Sequence, residues 1–215
     1  MQKHLQILVI APSWVGDMVM SQPLLTALKQ QNPDAAIDVY APAWSLGLVA
    51  RMPEVRAGLI NPFAHGAIKL AARFREGRRL AKTKYTQVII LPNSLKSALV
   101  PFFACIPQRT GWLGEARYGL LNDYRTLDKQ AHPLMVQRFV ALAYPKHSTV
   151  VHQPYHPQLE SNPQQQAVTL QALGLGRDKP ILALCPGAEY GPAKRWPPQH
   201  FAEVAQAYHQ QGYQV

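Results

Sequence analysis

The apolar positions of this 215-residue chain fall into short runs separated by longer amphipathic stretches, and the two alternate along its length. Residues 5–10 (LQILVI) form a short apolar run closed by turn residues, which reads as a buried strand. Residues 23–31 are helix-patterned. Pro23 fits a first helical turn but would kink an interior, so this helix is expected to begin between Asp17 and Pro23. Residues 36–41 (AIDVYA) give a second strand, residues 45–51 a short helix, and residues 53–60 a third strand with its lead-in. Residues 67–84 follow as a helix whose buried stripe would be Ile68, Ala71, Ala72 and Leu80. Residues 86–91 (TQVIIL) are a clear strand and residues 98–104 an apolar helix. Residues 108–112 are a further short strand, 117–125 are irregular, and 132–144 return to helix with Pro133 in the first turn and Arg138 inside.

Pro145, Pro154, Pro157 and Pro163, with polar residues between them, suit an extended linker. Beyond it come a helix at 164–173 closed by Gly174, a buried strand at 180–185 (PILALC), a helix at 198–211 and the opening of another strand at 213–215. Strand–turn–helix alternation of this kind specifies an α/β fold with a doubly wound parallel sheet. The expected organisation is a first domain over residues 1–150, a linker over 151–163, and an incomplete second domain over 164–215. One strand, one helix and part of a strand cannot bury a core. The chain therefore reads as the front part of a longer protein.

Charge sharpens this picture. Residues 1–150 hold eighteen Lys and Arg against eight Asp and Glu, whereas residues 151–215 hold four of each, so the net +10 belongs to the first domain. Such asymmetry points to an anionic partner: nucleic acid, an acidic membrane surface or a phosphorylated substrate. A hydrophobic fraction of 47% fits an ordinary globular protein, and no apolar run is long enough to cross a bilayer. The first residues read as strand one, without the cleavage site of a signal peptide. Cys105 and Cys185 suit reduced core thiols of a cytosolic protein, and the eight histidines lack metal-ligand spacing.

Four segments carry candidate chemistry. In Ser13-Trp14-Val15-Gly16-Asp17, Gly16 would let the backbone approach a ligand, and Asp17 is either a helix cap or a general base. Lys69, Arg73, Arg75, Arg78, Arg79, Lys82 and Lys84 against Glu76 alone make either a solvated helix face or a clamp for phosphate and carboxylate groups. After the strand at 86–91, Asn93 and Ser94 are candidate N-caps and Lys96 a candidate anion contact. In the second domain, Gly187 to Lys194 departs from a Walker A loop because Pro192 follows Gly191. Its amides and lysine suit a diphosphate, or the loop is an ordinary connection with a surface lysine. No nucleic-acid motif or interleaved stacking set accompanies the basic helix, so no nucleic-acid partner is expected.

Ser13-Trp14-Val15-Gly16-Asp17-Met18, Leu91-Pro92-Asn93-Ser94-Leu95-Lys96-Ser97-Ala98-Leu99, Arg109-Thr110-Gly111-Trp112 and the run Cys185-Pro186-Gly187-Ala188 through Lys194-Arg195-Trp196-Pro197 together resemble the lipopolysaccharide heptosyltransferases of glycosyltransferase family 9. The four motifs stand in the family's order, and the resemblance runs from Leu5 to Val215. It implies a GT-B fold: an N-terminal Rossmann-like acceptor domain facing a second Rossmann-like donor domain. It implies inverting, metal-free transfer of L-glycero-D-manno-heptose from ADP-heptose to the first heptose of the anionic lipopolysaccharide inner core, with no further cofactor. Asp17 matches the catalytic base and Lys194 the lysine on the donor phosphates, with Ser13, Gly16, Gly187 and Ala188 also on the donor side. Lys96, Arg73, Arg75, Arg125 and Arg138 fall in segments resembling the acceptor pocket. The implied location is cytoplasmic, with peripheral contact at the inner membrane's anionic face. The length departs from the family pattern, so the 215-residue chain alone is expected to have little or no transferase activity. The alternative is a non-catalytic module that binds anionic glycolipid.

Overall fold

Strand β1 (Gln6–Ile10) lies inside a six-stranded sheet whose neighbours all pair in parallel. The other strands are β2 (Ala36–Ala41), β3 (Val55–Ile60), β4 (Gln87–Ile90), β5 (Gln108–Trp112) and β6 (Asp123–Arg125), in the spatial order β3-β2-β1-β4-β5-β6. The computed structural model describes residues 5–63, 66, 68–148, 156–188 and 191–215. They form two units, Met1–Glu160 and Ser161–Val215, and the sheet belongs to the first.

Successive side chains of a strand point to opposite faces. Ile7 and Val9 therefore enter one core, with Leu24, Leu25 and Leu28, while Leu8 and Ile10 enter another, with Leu80 and Val100. A strand buried on both faces needs apolar residues at consecutive positions. That is why β1 and β4 read as unbroken runs, and why helices cover both sides.

Helix α1 (Val15–Gln31) begins before the interval expected from Pro23, which it holds as an interior residue. Burial of Met18, Pro23, Leu24, Leu25 and Leu28 against the sheet outweighs the proline's local cost. After α2 (Leu46–Val49), helix α3 (Leu70–Leu80) is shorter than the basic stretch suggested. It buries Arg73, Gly77 and Leu80, while Ile68 is exposed and Ala71 faces solvent, contrary to the apolar stripe expected. Gly77 explains the choice. A Cβ there would lie 2.6 Å from Phe103 Cβ and 2.8 Å from the Val100 carbonyl, so only glycine lets α3 sit this close to α4 (Leu99–Phe103). Helix α5 (Met135–Val140) is also shorter than expected, and Pro133 precedes it. The Leu134 amide donates to Gln137 Oε1 at 3.0 Å.

Residues 151–155 of the expected linker lie outside the described residues, whereas 156–160 run along the first unit. There Glu160 N donates to the Arg51 carbonyl at 2.8 Å and Gln158 N to Gln22 Oε1 at 3.0 Å. In the second unit, α6 (Pro163–Ala172) is capped by Asn162, whose Oδ1 accepts the amides of Gln164 and Gln165 at 2.9 and 3.1 Å. Helix α7 (Pro198–Gln210) follows. The buried strand expected at 180–185 is instead an extended segment, exposed or half-buried, joined to Gln214 by a single bridge at Ile181. No residue described in this unit is fully buried. Cys105 and Cys185, expected in a core, are both exposed.

Candidate functional site

In the order β3-β2-β1-β4-β5-β6, successive crossovers leave β1 in one direction and β4 in the other. A crevice opens at this switch point, outside the carboxyl ends of the two strands. The loops there are residues 11–14 after β1 and residues 91–97 after β4. Between them lies a cavity of about 410 Å³ whose wall includes Ser13, Asp17, Ser94, Lys96, Trp112 and Arg138. A smaller cavity of about 110 Å³ shares Ser13, Ser94 and Lys96 with the first and adds Tyr40, Phe63 and Arg73.

Asp17 is the third residue of α1, so it lies inside the first turn; Trp14 occupies the cap position. The capping alternative does not describe it. The Asp17 carboxylate is half-buried and accepts no hydrogen bond from the described residues. Burial raises its pKa above the ordinary aspartate value. A carboxylate without a hydrogen-bond donor among the described residues, and more basic than an exposed one, can accept a proton from a hydroxyl placed against it. Gly16 has ordinary helical backbone, and nothing lies within 4 Å of where a Cβ would stand. The backbone beside Asp17 is therefore open.

The structure divides the five basic residues assigned to the acceptor side. Lys96 lines both cavities. Arg138 lines the larger one, with Nε and Nη2 donating to the His132 and Pro133 carbonyls at 2.9 and 3.0 Å. Arg73 lines the smaller. It is buried, donates to the Ile68 carbonyl at 2.6 Å and the Lys96 carbonyl at 3.1 Å, and stacks over Phe63. Burial lowers its pKa, and its main contacts are structural. Arg75 is exposed on α3 and lines neither cavity, so the structure does not gather it into the site. Arg125 is not gathered there either. Its guanidinium is buried on β6, where Nη1 holds the Ala141 carbonyl at 2.8 Å and Nη2 holds Asp123 at 3.0 Å. Asn93 and Ser94, the candidate caps, form no side-chain cap; Ser97 Oγ instead donates to the Ser94 carbonyl at 2.6 Å.

Sequence reasoning passed over Arg117, which is completely buried. Its Nη1 donates to the Pro92 carbonyl at 2.8 Å and Ser97 Oγ at 3.1 Å, and its Nη2 to the Trp112 carbonyl. It thus pins the loop that carries Ser94 and Lys96. Burial pushes its pKa down to about 10, so it remains charged at neutral pH. Nothing in the stretch 117–125, read from sequence as irregular although its end forms β6, marks it, because an arginine is expected outside and its partners are main-chain oxygens distant in sequence. Trp112, quoted above only as part of a motif, walls the larger cavity and donates from Nε1 to the Arg138 carbonyl at 3.0 Å.

In the second unit, Gly187 is exposed with open space at its Cβ position, and the Ala188 carbonyl accepts from Arg195 Nε and Nη2 at 3.3 and 3.2 Å. Gly191, at φ 80°, turns the chain into a single helical turn, Pro192–Lys194, on which Lys194 is exposed. Glu189 and Tyr190 lie outside the described residues. Among the described residues no group of three His, Cys, Asp or Glu side chains could hold a metal ion. No helix among them is long and apolar enough to cross a membrane.

Comparison with known proteins bears on the family and the fold. The profile described as glycosyltransferase family 9 (heptosyltransferase) matches residues 73–215. Lipopolysaccharide heptosyltransferase 2 of Escherichia coli K12 is 51% identical over 216 residues, covering 98% of this chain and 62% of that protein. Lipooligosaccharide heptosyltransferase 2 of Haemophilus influenzae is 50% identical over 221 residues, with the same coverage of 98% and 62%. The solved E. coli ADP-heptose lipopolysaccharide heptosyltransferase II superposes with a TM-score of 0.90 at 48% identity, over 98% of this chain and 63% of that one. A family 9 glycosyltransferase from Veillonella parvula, 19% identical, shares the fold with a TM-score of 0.81 over 99% of this chain and 62% of its own. The chain thus spans about 62% of the length of these curated relatives. The α/β, GT-B type class expected from the sequence stands. Since the family profile takes in more than half of its residues, including the loop of Lys96 and Arg138, this chain belongs to glycosyltransferase family 9, the heptosyltransferases.

Proposed function

We propose that this chain supplies the acceptor-side domain, and the beginning of the donor-side domain, of an inverting heptosyltransferase. In this reading the whole-length protein moves L-glycero-D-manno-heptose from ADP-heptose to the first heptose of the lipopolysaccharide inner core. One observation carries the proposal: the unpaired, half-buried carboxylate of Asp17, raised in pKa, in the wall of a switch-point cavity that also presents Lys96 and Arg138. ADP-heptose is named for the E. coli relative of matching fold, which supports the same donor here.

A sugar hydroxyl is a weak nucleophile until its proton is taken. As the acceptor oxygen bonds to the anomeric carbon, its proton passes to Asp17. The bond from that carbon to the diphosphate breaks, and its electron pair leaves with ADP. Attack on the face opposite the leaving group inverts the anomeric centre. Lys194 and the amides at Gly187 and Ala188 offset the charge growing on the diphosphate, a role cationic side chains and amides can fill without a metal. On the family resemblance, Ser13 and Gly16 are further donor contacts. Lys96 and Arg138 meet the acceptor's anionic groups, and Arg73, in the wall of the smaller cavity, holds the Lys96 main chain. Arg75 and Arg125, which line neither cavity, contribute through surface charge and through packing of β6. The net +10 of residues 1–150 favours a cytoplasmic protein held at the anionic inner face of the membrane.

The test uses the whole-length protein with ADP-heptose and a one-heptose lipopolysaccharide acceptor, beside Asp17→Asn. Transfer is expected to fall by about 10²–10⁴-fold in the variant while donor binding persists. A variant that keeps its rate would remove Asp17 as the base. An unsubstituted protein that transfers nothing would remove the substrate assignment. The 215-residue chain alone is expected to have little or no transferase activity, because no described residue of its second unit is fully buried. Measurable turnover by it would contradict this.

A further inference from the structure

The seam between α3 and α4 carries an apolar ridge that no described residue covers. Leu70 and Phe74, one helical turn apart, are 56% and 51% exposed, and Phe102 of α4 is 40% exposed. The rings form one continuous surface: Phe74 meets Phe103 edge-on at 5.4 Å, and Phe103 meets Phe102 at 5.7 Å. Cations border this ridge. Lys69, Arg75, Arg78 and Lys82 are exposed beside it, and the Arg109 guanidinium stands 5.6 Å over the Phe102 ring. Glu76, the one acid on α3, is already bound to Arg79 at 2.7 and 2.9 Å. The buried side of α3 is spent on α4 through Gly77, so Leu70 and Phe74 have no place in the core.

We infer that this seam is a membrane-docking face, with the aromatic ridge entering the headgroup boundary of an anionic bilayer and the flanking cations holding its lipid phosphates. An apolar strip rimmed by Lys and Arg is the chemistry of interfacial binding, in which apolar burial and headgroup attraction add. A second copy of the chain fits worse. It would set one basic rim against another, and residues 1–150 hold the whole surplus of +10. The placement also suits the activity proposed above, on which it rests for the acceptor's lipid anchor. Leu70 is one turn from Arg73, and Arg73 lines the smaller cavity and holds the Lys96 carbonyl. A sugar chain rooted in the bilayer would therefore emerge beside both cavities.

The experiment is co-sedimentation of the chain with sucrose-loaded vesicles of phosphatidylglycerol and phosphatidylethanolamine, against vesicles of phosphatidylcholine alone. Binding is expected on the anionic vesicles, weakened by salt, and at least tenfold poorer on the neutral ones. Phe74→Ser with Phe102→Ser should lower the partition by about tenfold or more, given the apolar area each ring withdraws from water. Arg78→Glu with Lys82→Glu should abolish the preference for anionic lipid. Both pairs replace exposed side chains, and unchanged melting would show that the fold is intact. Equal binding to both vesicles, or a Phe pair that binds as the parent does, overturns the inference. So does a dimer in light scattering that the Phe pair dissolves, since the ridge would then belong to a second copy. The functional reading is tested separately: the whole-length Phe pair should keep its rate on a lipid-free acceptor and lose it on acceptor embedded in vesicles. No transfer by the unsubstituted protein would sink the substrate assignment and leave the vesicle result standing.

Discussion

Arg117→Met replaces a completely buried cation with a side chain of similar length and no charge. Little cavity is created, because methionine adapts to the space it is given. The loss is polar. The Pro92 and Trp112 carbonyls and Ser97 Oγ each lose a donor; the Pro92 carbonyl keeps the Ser97 hydroxyl at 3.0 Å, whereas the Trp112 carbonyl loses its side-chain partner. A buried acceptor left unsatisfied costs about 1–3 kcal/mol, and each of the other two lost hydrogen bonds about 0.5–1.5 kcal/mol. Against this, methionine spares the chain the burial of a guanidinium that is hydrogen-bonded but makes no ion pair among the described residues, a penalty of several kcal/mol. The depressed pKa of about 10 shows that this penalty is felt. The expected net is a destabilisation of about 1–3 kcal/mol, read by urea unfolding followed through tryptophan fluorescence. The local effect should exceed the global one. Residues 92–97 lose their anchor, so hydrogen exchange in a peptide spanning them should rise several-fold before the sheet exchanges. If the whole-length protein has the transferase activity proposed above, KM for the acceptor should rise more than kcat falls, because Lys96 loses its fixed position. A stability change below about 0.5 kcal/mol together with unchanged exchange at 92–97 would refute the view that Arg117 sets this loop.

Asp17 has a pKa raised by burial, so its protonated form favours the fold. That contribution is complete below the ordinary aspartate pKa and is lost as pH rises through the raised value. Asp17→Asn should therefore melt no lower than the parent at neutral pH, and the acid limb of kcat/KM, set above the ordinary aspartate range, should vanish with it. Asp123 behaves oppositely. Burial alone would raise its pKa, but its hydrogen bond and ion pair with Arg125 outweigh that and lower it. Its stabilisation is present above the ordinary aspartate pKa and lost as pH falls through the lowered value. Asp123→Asn should flatten acid unfolding over that window and cost about 1–3 kcal/mol at neutral pH, by melting as a function of pH. Gly77→Ala gains up to about 1 kcal/mol of helix propensity. It should nonetheless destabilise by about 1–3 kcal/mol, because the new methyl collides with Phe103 and the Val100 carbonyl. A variant that melts higher would show that α3 and α4 can separate freely.

Strands β1 and β4 were legible because burial on both faces demands consecutive apolar residues, and the segments that leave them line the crevice. The places of Asp17 and Lys96 in its wall were legible for the same reason: each stands on the segment that follows such a strand. Arg73 was read as a ligand contact within a charged stretch, although it faces inward; what holds it is two carbonyls and a phenylalanine ring, none of which has a sequence period. The start of α1 was displaced by Pro23, whose local preference yields to packing. The segment at 180–185 has a strand's composition, yet composition does not supply neighbours, and here a single bridge to Gln214 is its sheet pairing.

Arg117 grips mainly main-chain oxygens, those of Pro92 and Trp112. Its hold therefore fixes the path of the β4 loop largely regardless of which side chains stand at 95 and 96. Recognition can thus be rewritten at those positions without redesigning the scaffold beneath, since the parallel ladder of β1 and β4 ends before them. An engineer wishing to retarget this crevice would keep Arg117 and randomise Leu95 and Lys96. Drift in a lineage would meet the same division, permissive at the tips of the loop and strict at its root.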